Sequence, residues 1–384
     1  MKFTADKNTL ADAVLIASRA CAAKSIDTSL ECVLLELRGN KLTVRGYNLE
    51  TGINKTIMVN GIKDGAIMVD ARILSDYVRK IDSAFSVELE TKNDKEININ
   101  FGGSKHNRMN GVSANNFPKI SKFADNIEFF IKEAVLRDTL SQIYHAVSQS
   151  GDNPAMCGVK FVLENNELTL VASDGLRMAL RTIPLEYQDL EFIVPDKTIV
   201  ELIRNLASDG DNDVQVIVDK NQVLFSKGSG EYEIFSRIID GKFVNYKRVA
   251  DFEGLRTAVI DSKEFSGALE RAIVGIENRN SNSAVLSFLS TTKVLNIYCK
   301  TSMTITDEDI DIEYETKIDD KYDENGGEIP FKISFQPRLL LDAIKNSNAE
   351  TVKLIMREEI NPVKIVSAED ESKFLFVVVP MRTK

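Results

Sequence analysis

The sequence predicts an α+β protein built from three tandem similar domains, and three repeated patterns support this prediction. In the first pattern, NKLTVRGYNL from Asn40 aligns without a gap to NELTLVASDG from Asn166, and a weaker match, KVLNIYCKTS, begins at Lys293. The anchoring leucines of these segments lie 126 and 127 residues apart, at Leu42, Leu168 and Leu295. Similarity at a fixed period indicates a structural unit that is used more than once.

The second and third patterns are helices that recur in the same order. The first helix of each copy opens with TLADAV at Thr9, VLRDTL at Val135 or EFSGAL at Glu264, with apolar residues three and four positions apart. A second helix follows later in each copy: ARILSDYVRKI from Ala71, DKTIVELIRNL from Asp196 and PRLLLDAIKN from Pro337. Each copy therefore reads as strands, helix, strands, helix and strands.

Alternating β-type runs close the copies, among them Val214–Val218, Val223–Phe225 and Val363–Val366. Polar stretches near Ala124–Ile127 and Asp251–Leu255 separate the copies. We predict domains at residues 1–125, 126–252 and 253–384. The acidic segment 319–328, DDKYDENGGE, is predicted to be a loop inserted into the third copy.

The composition is that of an ordinary globular protein, with 384 residues, 43% hydrophobic residues and a formal net charge of -10. No apolar run is long enough to span a bilayer and Met1–Leu10 lacks a signal-peptide pattern, so we expect a cytoplasmic protein with no membrane partner. The four cysteines are scattered and only two histidines occur, which argues against zinc and disulfides. We predict no metal, no cofactor and no catalytic residue.

The second helices share a charge pattern as well as an apolar stripe. Side chains at i, i+4 and i+7 lie on one helix face, and this spacing occurs in Arg72, Asp76 and Arg79, in Lys197, Glu201 and Arg204, and in Arg338, Asp342 and Lys345. For one helix the simpler interpretation is a solvated face held by i,i+4 ion pairs. Three net-positive copies in an acidic protein instead favour a surface for sequence-independent phosphate contact, extended by cations near the first helices. The predicted DNA-facing residues are Lys24, Arg72, Arg79, Arg137, Lys197, Arg204, Arg271, Arg338 and Lys345.

Several motifs resemble those of one family along essentially the whole chain. They are the opening MKF, NNFP at Asn115–Pro118, LTLVASDGLRMAL at Leu168–Leu180, DGKFVNYKRV at Asp240–Val249 and VVPMR at Val378–Arg382. In this order, with a triplicated unit between them, they resemble the bacterial replicative sliding clamp, the beta subunit of DNA polymerase III. The resemblance implies a head-to-tail homodimer that closes into a ring of six domains, with helices lining the hole and sheets outside.

The resemblance also implies a non-catalytic role and a set of partners. The ring would encircle double-stranded DNA, and a hydrophobic pocket between the second and third domains would accept a short linear motif from the replicative polymerase, the clamp loader, and repair and translesion polymerases. The implied pocket residues are Ser173, Gly175, Leu176, Arg177, Met178, Arg248, Val249, Val377, Val378, Val379, Pro380, Met381 and Arg382.

For the ring contact, the resemblance points to Met109 on the first domain and to Ile273 and Val274 on the third, with acidic Asp307, Glu308 and Asp309 nearby. The chain departs from the family pattern at four places. Val244 replaces a common proline, Leu176 replaces a histidine of some members, Thr383 and Lys384 follow the terminal Met-Arg, and Asn107 replaces an aromatic residue of some relatives near the ring contact. The first two departures affect the pocket wall and its peptide preference.

Two other functions compete with the clamp. A diverged relative could keep the pocket as a monomeric peptide-binding scaffold and lose the ring. A hydrolase could use Ser173, Asp174 and His145, although no G-x-S-x-G elbow occurs. The segment Gly102–Lys105 lacks the spacing of a phosphate loop, and the acidic runs at Asp209–Asp213 and Asp307–Asp311 lack the glycine of an EF-hand.

Overall fold

The computed structural model describes residues 1–93, 95–120, 123, 126–149, 151, 153–276, 283–319, 321–324 and 326–382. The chain divides into two compact units, and the division passes through two helices. The first unit comprises Met1–Leu136 with Val200–Ile238, and the second comprises Arg137–Ile199 with Ile239–Lys384. These units do not coincide with the three predicted segments, whose boundaries stay a prediction. Ala124 and Asp125, at the first of those boundaries, lie outside the described residues.

The α-helices of the described chain are α1 (Lys7–Ser18), α2 (Ala71–Arg79), α3 (Glu133–Ile143), α4 (Asp196–Asn205), α5 (Tyr246–Ala250), α6 (Ser262–Ile273) and α7 (Pro337–Ser347). All six helices expected from the apolar periodicity form where it placed them. Aspartates begin several of them, because the side chain of Asp6 accepts the Thr9 N–H, that of Asp70 accepts the Ile73 N–H, and that of Asp261 accepts the Glu264 N–H.

The first unit holds a thirteen-stranded antiparallel sheet in the order β10-β15-β16-β17-β4-β3-β2-β6-β9-β8-β7-β1-β5. Its strands are β1 (Lys2–Asp6), β2 (Cys32–Arg38), β3 (Lys41–Tyr47), β4 (Thr51–Met58), β5 (Asn60–Lys63), β6 (Gly65–Asp70), β7 (Ser86–Asn93), β8 (Glu96–Phe101), β9 (Lys105–Val112), β10 (Ile127–Lys132), β15 (Asp213–Asp219), β16 (Gln222–Lys227) and β17 (Tyr232–Arg237). Helices α1 and α2 pack beside each other over it, with Leu10, Val14 and Leu74 fully buried.

The second unit holds a nine-stranded sheet, β14-β11-β12-β13-β28-β27-β26-β18-β22, a four-stranded sheet, β21-β20-β19-β25, and the pair β23-β24. Its strands are β11 (Gly158–Glu164), β12 (Glu167–Ser173), β13 (Arg177–Pro184), β14 (Leu190–Pro195), β18 (Arg256–Asp261), β19 (Ala284–Leu289), β20 (Val294–Lys300), β21 (Ile305–Asp311), β22 (Glu313–Thr316), β23 (Lys321–Tyr322), β24 (Glu328–Ile329), β25 (Phe331–Phe335), β26 (Thr351–Met356), β27 (Val363–Ser367) and β28 (Leu375–Val378). Helices α6 and α7 pack beside each other and bury Phe265, Leu269 and Leu340.

The three copies of the repeat form the same local structure, which confirms the prediction of one unit used three times. Leu42, Leu168 and Leu295 are each fully buried in the second strand of an antiparallel hairpin. The next residue of each copy bonds across to the residue 13 positions later. The pairs are Thr43 with Thr56 at 3.0 Å, Thr169 with Thr182 at 3.0 Å, and Asn296 with Asp309 at 2.9 Å.

The acidic insert of the third copy is more ordered than a loop. Lys321 and Tyr322 pair with Ile329 and Glu328 as a short hairpin, while Asp320 and Asn325 lie outside the described residues. The Glu328 carboxylate accepts hydrogen bonds from the backbone N–H groups of Ser290 and Thr291. This carboxylate therefore anchors the insert to the turn between β19 and β20.

Candidate functional site

The pocket predicted from the sequence begins with a tight loop between β12 and β13. Gly175 has a φ of +87°, a region that favours glycine, and the Asp174 carboxylate accepts the N–H groups of Leu176 and Arg177, both at 2.9 Å. The Ser173 hydroxyl donates to the Arg177 carbonyl at 2.9 Å. These bonds fix the loop and leave the Leu176 side chain 53% exposed at its tip.

The C-terminal strand lies beside this loop in the same sheet. Arg177 pairs with Val378 and Met178 with Val377, and the Val379 N–H donates to the Leu176 carbonyl at 2.9 Å. The chain then continues to Met381, whose N–H donates to the Ser334 carbonyl on β25 at 2.7 Å. The structure thus brings the predicted loop and the predicted C-terminal segment together.

The predicted pocket residues differ in their access to solvent. Four of them are buried, with exposures of 4% or less, and so belong to the layer beneath the surface: Ser173, Met178, Val377 and Val378. The other nine are exposed or partly exposed: Gly175, Leu176, Arg177, Arg248, Val249, Val379, Pro380, Met381 and Arg382. The prediction that all thirteen line an open wall is therefore corrected for the four buried residues. Neighbouring side chains of a strand point to opposite faces of the sheet, so the burial of both Val377 and Val378 means that both faces are covered at this place.

An apolar cluster supports the loop from below. Met178 and Val377 pack with Ala155, Ile193 and Phe243. Partly buried Val244 and Tyr246 pack against the same cluster, at the start of α5, which also carries Arg248 and Val249. Phe243 and Tyr246 were not among the pocket residues predicted from the sequence. Both lie inside the DGKFVNYKRV segment, so membership of that motif was the signal that could have found them.

A partly buried arginine ties the loop to α7. The Arg177 side chain is 14% exposed, and its Nε donates to Asp174 Oδ2 at 3.0 Å while Nη1 donates to Asp342 Oδ2 at 2.6 Å. Charge-assisted bonds of this length are among the stronger hydrogen bonds in proteins. In the simpler interpretation of the charge pattern, Asp342 pairs with a cation of its own helix. The bond to Arg177 could not be predicted from the sequence, because Arg177 and Asp342 are 165 residues apart.

The arrangement around Ser173 does not favour the hydrolase. The Ser173 hydroxyl donates a hydrogen bond to the Arg177 carbonyl, and the His145 Nδ1 lies 3.0 Å from the Gln142 carbonyl oxygen. His145 packs edge-on against Phe376, at 5.0 Å between ring centroids. Burial, together with the nearby Arg177 cation, lowers the pKa of His145 to about 4. This partly buried histidine is therefore neutral at pH 7.

The predicted DNA-facing cations fall into two groups. Lys24, Arg72, Lys197 and Arg338 are exposed, and none of them forms an ion pair with any residue that the structure describes. The other five are paired: Arg79 with Asp76, Arg137 with Asp138, Arg204 with Glu201, Arg271 with Glu308, and Lys345 with Glu270. The unpaired cations sit near the starts of α2, α4 and α7 and, for Lys24, shortly after α1.

In the simpler interpretation the second helices hold the i,i+4 ion pairs Arg72 with Asp76, Lys197 with Glu201 and Arg338 with Asp342, and none of these is among the ion pairs of the described residues. Glu201 is 7% exposed and receives Arg19 at 3.2 Å as well as Arg204 at 2.9 Å, so it is a buried anchor rather than a member of a solvated face. Asp342 pairs with Arg177, as described above. Only the helix α2 keeps its acid within an exposed pair, between Asp76 and Arg79 at 2.9 Å. The other two acids, Glu201 and Asp342, pair with arginines that are distant in the sequence, Arg19 and Arg177.

The residues predicted for the ring contact lie in both units. Val274, at the end of α6, is 60% exposed, whereas Ile273 is partly buried. Met109 lies on β9 and packs partly against the core of its own unit. Asp307, Glu308 and Asp309 lie on β21, which is an edge strand. The Glu308 carboxylate receives both Arg271 Nε at 2.7 Å and Nη2 at 2.6 Å, so two residues predicted for different surfaces pair with each other.

Comparison with known proteins identifies the family. The N-terminal domain of the DNA polymerase III beta subunit matches residues 1–121, and the central domain of the same subunit matches residues 130–245. Together the two matches span more than half of the chain. The chain belongs to the DNA polymerase III beta-subunit family.

Relatives in this beta-subunit family match over the full length. The beta sliding clamp of Bacillus subtilis (strain 168) is 25% identical, and that of Pseudomonas aeruginosa is 24% identical, each with 100% of both chains covered. A solved DNA polymerase sliding clamp from Bacillus subtilis has a TM-score of 0.89 at 24% identity. A sliding clamp from Pseudomonas aeruginosa, solved with bound griselimycin, has a TM-score of 0.89 at 23% identity, and both cover all of this chain. These structures confirm the predicted clamp fold.

Two further observations concern sites of other kinds in this beta-subunit chain. Among the described residues, no group of three or more His, Cys, Asp or Glu side chains could hold a metal ion. None of the helices in the described part of the chain is long and apolar enough to cross a bilayer.

Proposed function

We propose that this chain is a DNA sliding clamp, a non-catalytic processivity factor that encircles duplex DNA and tethers the replicative polymerase to it. The observation that carries the proposal is the full-length likeness to beta sliding clamps in both sequence and fold. The repeated placement of unpaired cations on the second helices supports it independently. The function comes from the ring, since a closed protein around a duplex leaves DNA only where the DNA ends.

The exposed cations suit contact with DNA that permits sliding. Arg72, Lys197 and Arg338 occupy equivalent places in α2, α4 and α7, and each is exposed and free of an ion pair with the described residues. Lys and Arg side chains bind phosphates without reading bases, so the contact is independent of sequence. The five paired cations contribute less, because a carboxylate already neutralises each of them. A small number of free cations per copy holds the duplex without stopping its motion.

The partner site is the surface formed by the loop 173–177, the C-terminal segment and α5. Leu176 and Val249 are 53% and 37% exposed, and they offer apolar contact area beside the polar Arg248 and Arg382. This combination fits a short linear motif from replication and repair proteins, with apolar anchors and a few orienting polar bonds. The griselimycin-bound structure of the Pseudomonas aeruginosa clamp supports a ligand site in this family.

The proposed assembly is a head-to-tail homodimer of three-domain chains in the cytoplasm. The domains are those predicted from the repeat, at residues 1–125, 126–252 and 253–384. Exposed Val274 and the open edge of β21 on one protomer would meet the β9 region of its partner, around Met109. The two identical contacts close the ring.

Charge reversal on the second helices tests the function. We expect wild-type protein, loaded by the clamp loader of its own organism, to stay on nicked circular DNA during gel filtration and to leave when the DNA is linearised. The triple variant Arg72→Glu, Lys197→Glu and Arg338→Glu should be retained about ten-fold less on the circle, because three phosphate contacts become repulsive. Its thermal stability should be unchanged, since all three side chains are exposed.

The matched control reverses one exposed lysine per repeat outside the helices: Lys92→Glu, Lys220→Glu and Lys321→Glu. It changes the net charge equally and should be retained like wild type. If both variants lost retention on circular DNA equally, the net charge and not the position of the cations would be the cause. A wild-type protein that binds polymerase as a stable monomer and never stays on circular DNA would favour the monomeric scaffold.

A further inference from the structure

Equivalent acids of the three second helices have different partners. In α2, Asp76 pairs with Arg79 of its own helix at 2.9 Å. In α4, Glu201 reaches back to Arg19 of the first repeat at 3.2 Å. In α7, Asp342 reaches back to Arg177 of the second repeat at 2.6 Å. Only in α7 does the acid of a DNA-facing helix bond to a residue of the proposed partner pocket.

Asp342 bonds the same guanidinium group of Arg177 that holds Asp174 of the loop. One side of the guanidinium bonds Asp174 at 3.0 Å, and the same Asp174 carboxylate accepts the backbone N–H groups of Leu176 and Arg177. The geometry of the exposed Leu176 tip therefore depends on Asp174, and the position of Asp174 depends on Arg177. With its side chain 14% exposed, Arg177 is shielded from the water that would compete for these bonds.

Asp342 also lies within reach of two cations of its own helix. Arg338 is four residues before it and Lys345 three residues after it, the spacings at which helix side chains are neighbours. The Asp342 side chain is 35% exposed, so these cations and Arg177 share the field of one carboxylate. Lys345 is already drawn to Glu270 at 2.5 Å, whereas Arg338 has no ion-pair partner among the described residues.

We propose that Asp342 is a positioning residue that couples DNA contact at α7 to the affinity of the partner pocket through Arg177. This proposal rests on the proposed clamp function. In the structure Asp342 pairs with Arg177 and Lys345 pairs with Glu270, so Arg338 and Lys345 act on Asp342 only through the charge they place near it. A phosphate that binds Arg338 and Lys345 offsets this positive charge, and the Asp342 carboxylate then attracts Arg177 more strongly. The loop 173–177 becomes more firmly held, and a preorganised loop binds a partner more tightly. A clamp on DNA therefore offers a better pocket than a clamp in solution.

The coupling is measured as the ratio of two affinities. Griselimycin serves as the probe, and its dissociation constant is measured for free protein and for protein loaded on circular DNA. We expect binding about five-fold tighter on DNA for wild type, the lower end of common coupling strengths. The variant Asp342→Asn should bind the probe more weakly and lose the DNA dependence, while Asp342→Glu should recover much of it. Leu176→Ala should weaken binding equally on and off DNA.

The control is Asp76→Asn, which makes the same change at the equivalent position of α2, where the acid pairs with Arg79 of its own helix. Its DNA-dependent ratio should equal that of wild type. A wild-type protein that stays on circular DNA but binds the probe equally on and off DNA overturns the coupling and leaves the clamp function intact. This wild-type ratio also decides the matter if Asp342→Asn fails to fold. Failure of the wild type to stay on circular DNA contradicts the clamp function itself.

Discussion

At the scale of single residues, burial sets the behaviour of the few titratable groups inside the protein. His145 is partly buried in a turn just after α3, with Phe376 against its ring and the Gln142 carbonyl oxygen at 3.0 Å from Nδ1. Burial and the Arg177 cation lower its pKa from 6.5 to about 4. A histidine with a depressed pKa stays neutral in the folded chain while the unfolded chain takes up a proton.

This difference predicts how stability depends on pH. Between about pH 6.5 and pH 4 the unfolded state binds more protons at position 145 than the folded state does, so stability falls as the pH falls. From pH 8 to pH 5 the contribution of His145 to the loss is about 2 kcal/mol. The variant His145→Gln should lose correspondingly less stability over this range in denaturant titrations.

His106→Gln, at an exposed histidine, is the control and should lose as much stability as wild type. An unchanged pH profile in His145→Gln would mean that this side chain is not held in its neutral form.

At the scale of secondary-structure elements, close packing of the first helix on its hairpin limits one strand position. A Cβ at Gly46 on β3 would lie 2.0 Å from the Ala17 carbonyl oxygen of α1 and 3.0 Å from Cys21 Sγ. The equivalent residues of the other copies are the buried Ala172 and Cys299, which are small but not glycine. The first repeat therefore has no room for a side chain at this position, whereas the other two copies hold one.

The variant Gly46→Ala should destabilise the chain by about 1–3 kcal/mol, because backbone atoms of α1 must move to admit the methyl group. Gly267→Ala in α6 is the control, and we expect it to change the stability in the opposite direction. Its nearest contact is the end of the flexible Arg271 side chain at 3.3 Å, and an alanine within a helix should stabilise by up to about 1 kcal/mol. Differential scanning fluorimetry distinguishes the two. A Gly46→Ala variant as stable as wild type would mean that α1 has room to shift.

At the scale of the whole molecule, the proposed ring depends on a surface that a single chain leaves exposed. Val274 is 60% exposed at the end of α6, on the third repeat. Burial of an exposed aliphatic side chain against a partner removes apolar surface from water, which stabilises the complex. A head-to-tail dimer has two identical interfaces, and each interface would bury one copy of Val274.

The variant Val274→Asp should shift the protein from dimer to monomer in sedimentation velocity runs. A charge at each contact costs at least about 2 kcal/mol, which is about 30-fold in the dissociation constant for each of the two interfaces. Ile62→Asp, at a 57% exposed residue of β5, is the control and should stay dimeric. A Val274→Asp protein that remains fully dimeric would place the ring contact elsewhere.

The sequence alone was enough to predict the repeated α+β unit, its six long helices and the family, because apolar periodicity and motif order are local properties of the chain. The burial of Ser173, Met178, Val377 and Val378, and the partners of Glu201 and Asp342, were decided only by the tertiary structure. Ion pairs such as Arg177 with Asp342 join residues 165 positions apart, and no local pattern selects between the many possible partners. Charge spacing along a helix shows which side chains share a face, but packing determines whether that face meets water or another strand.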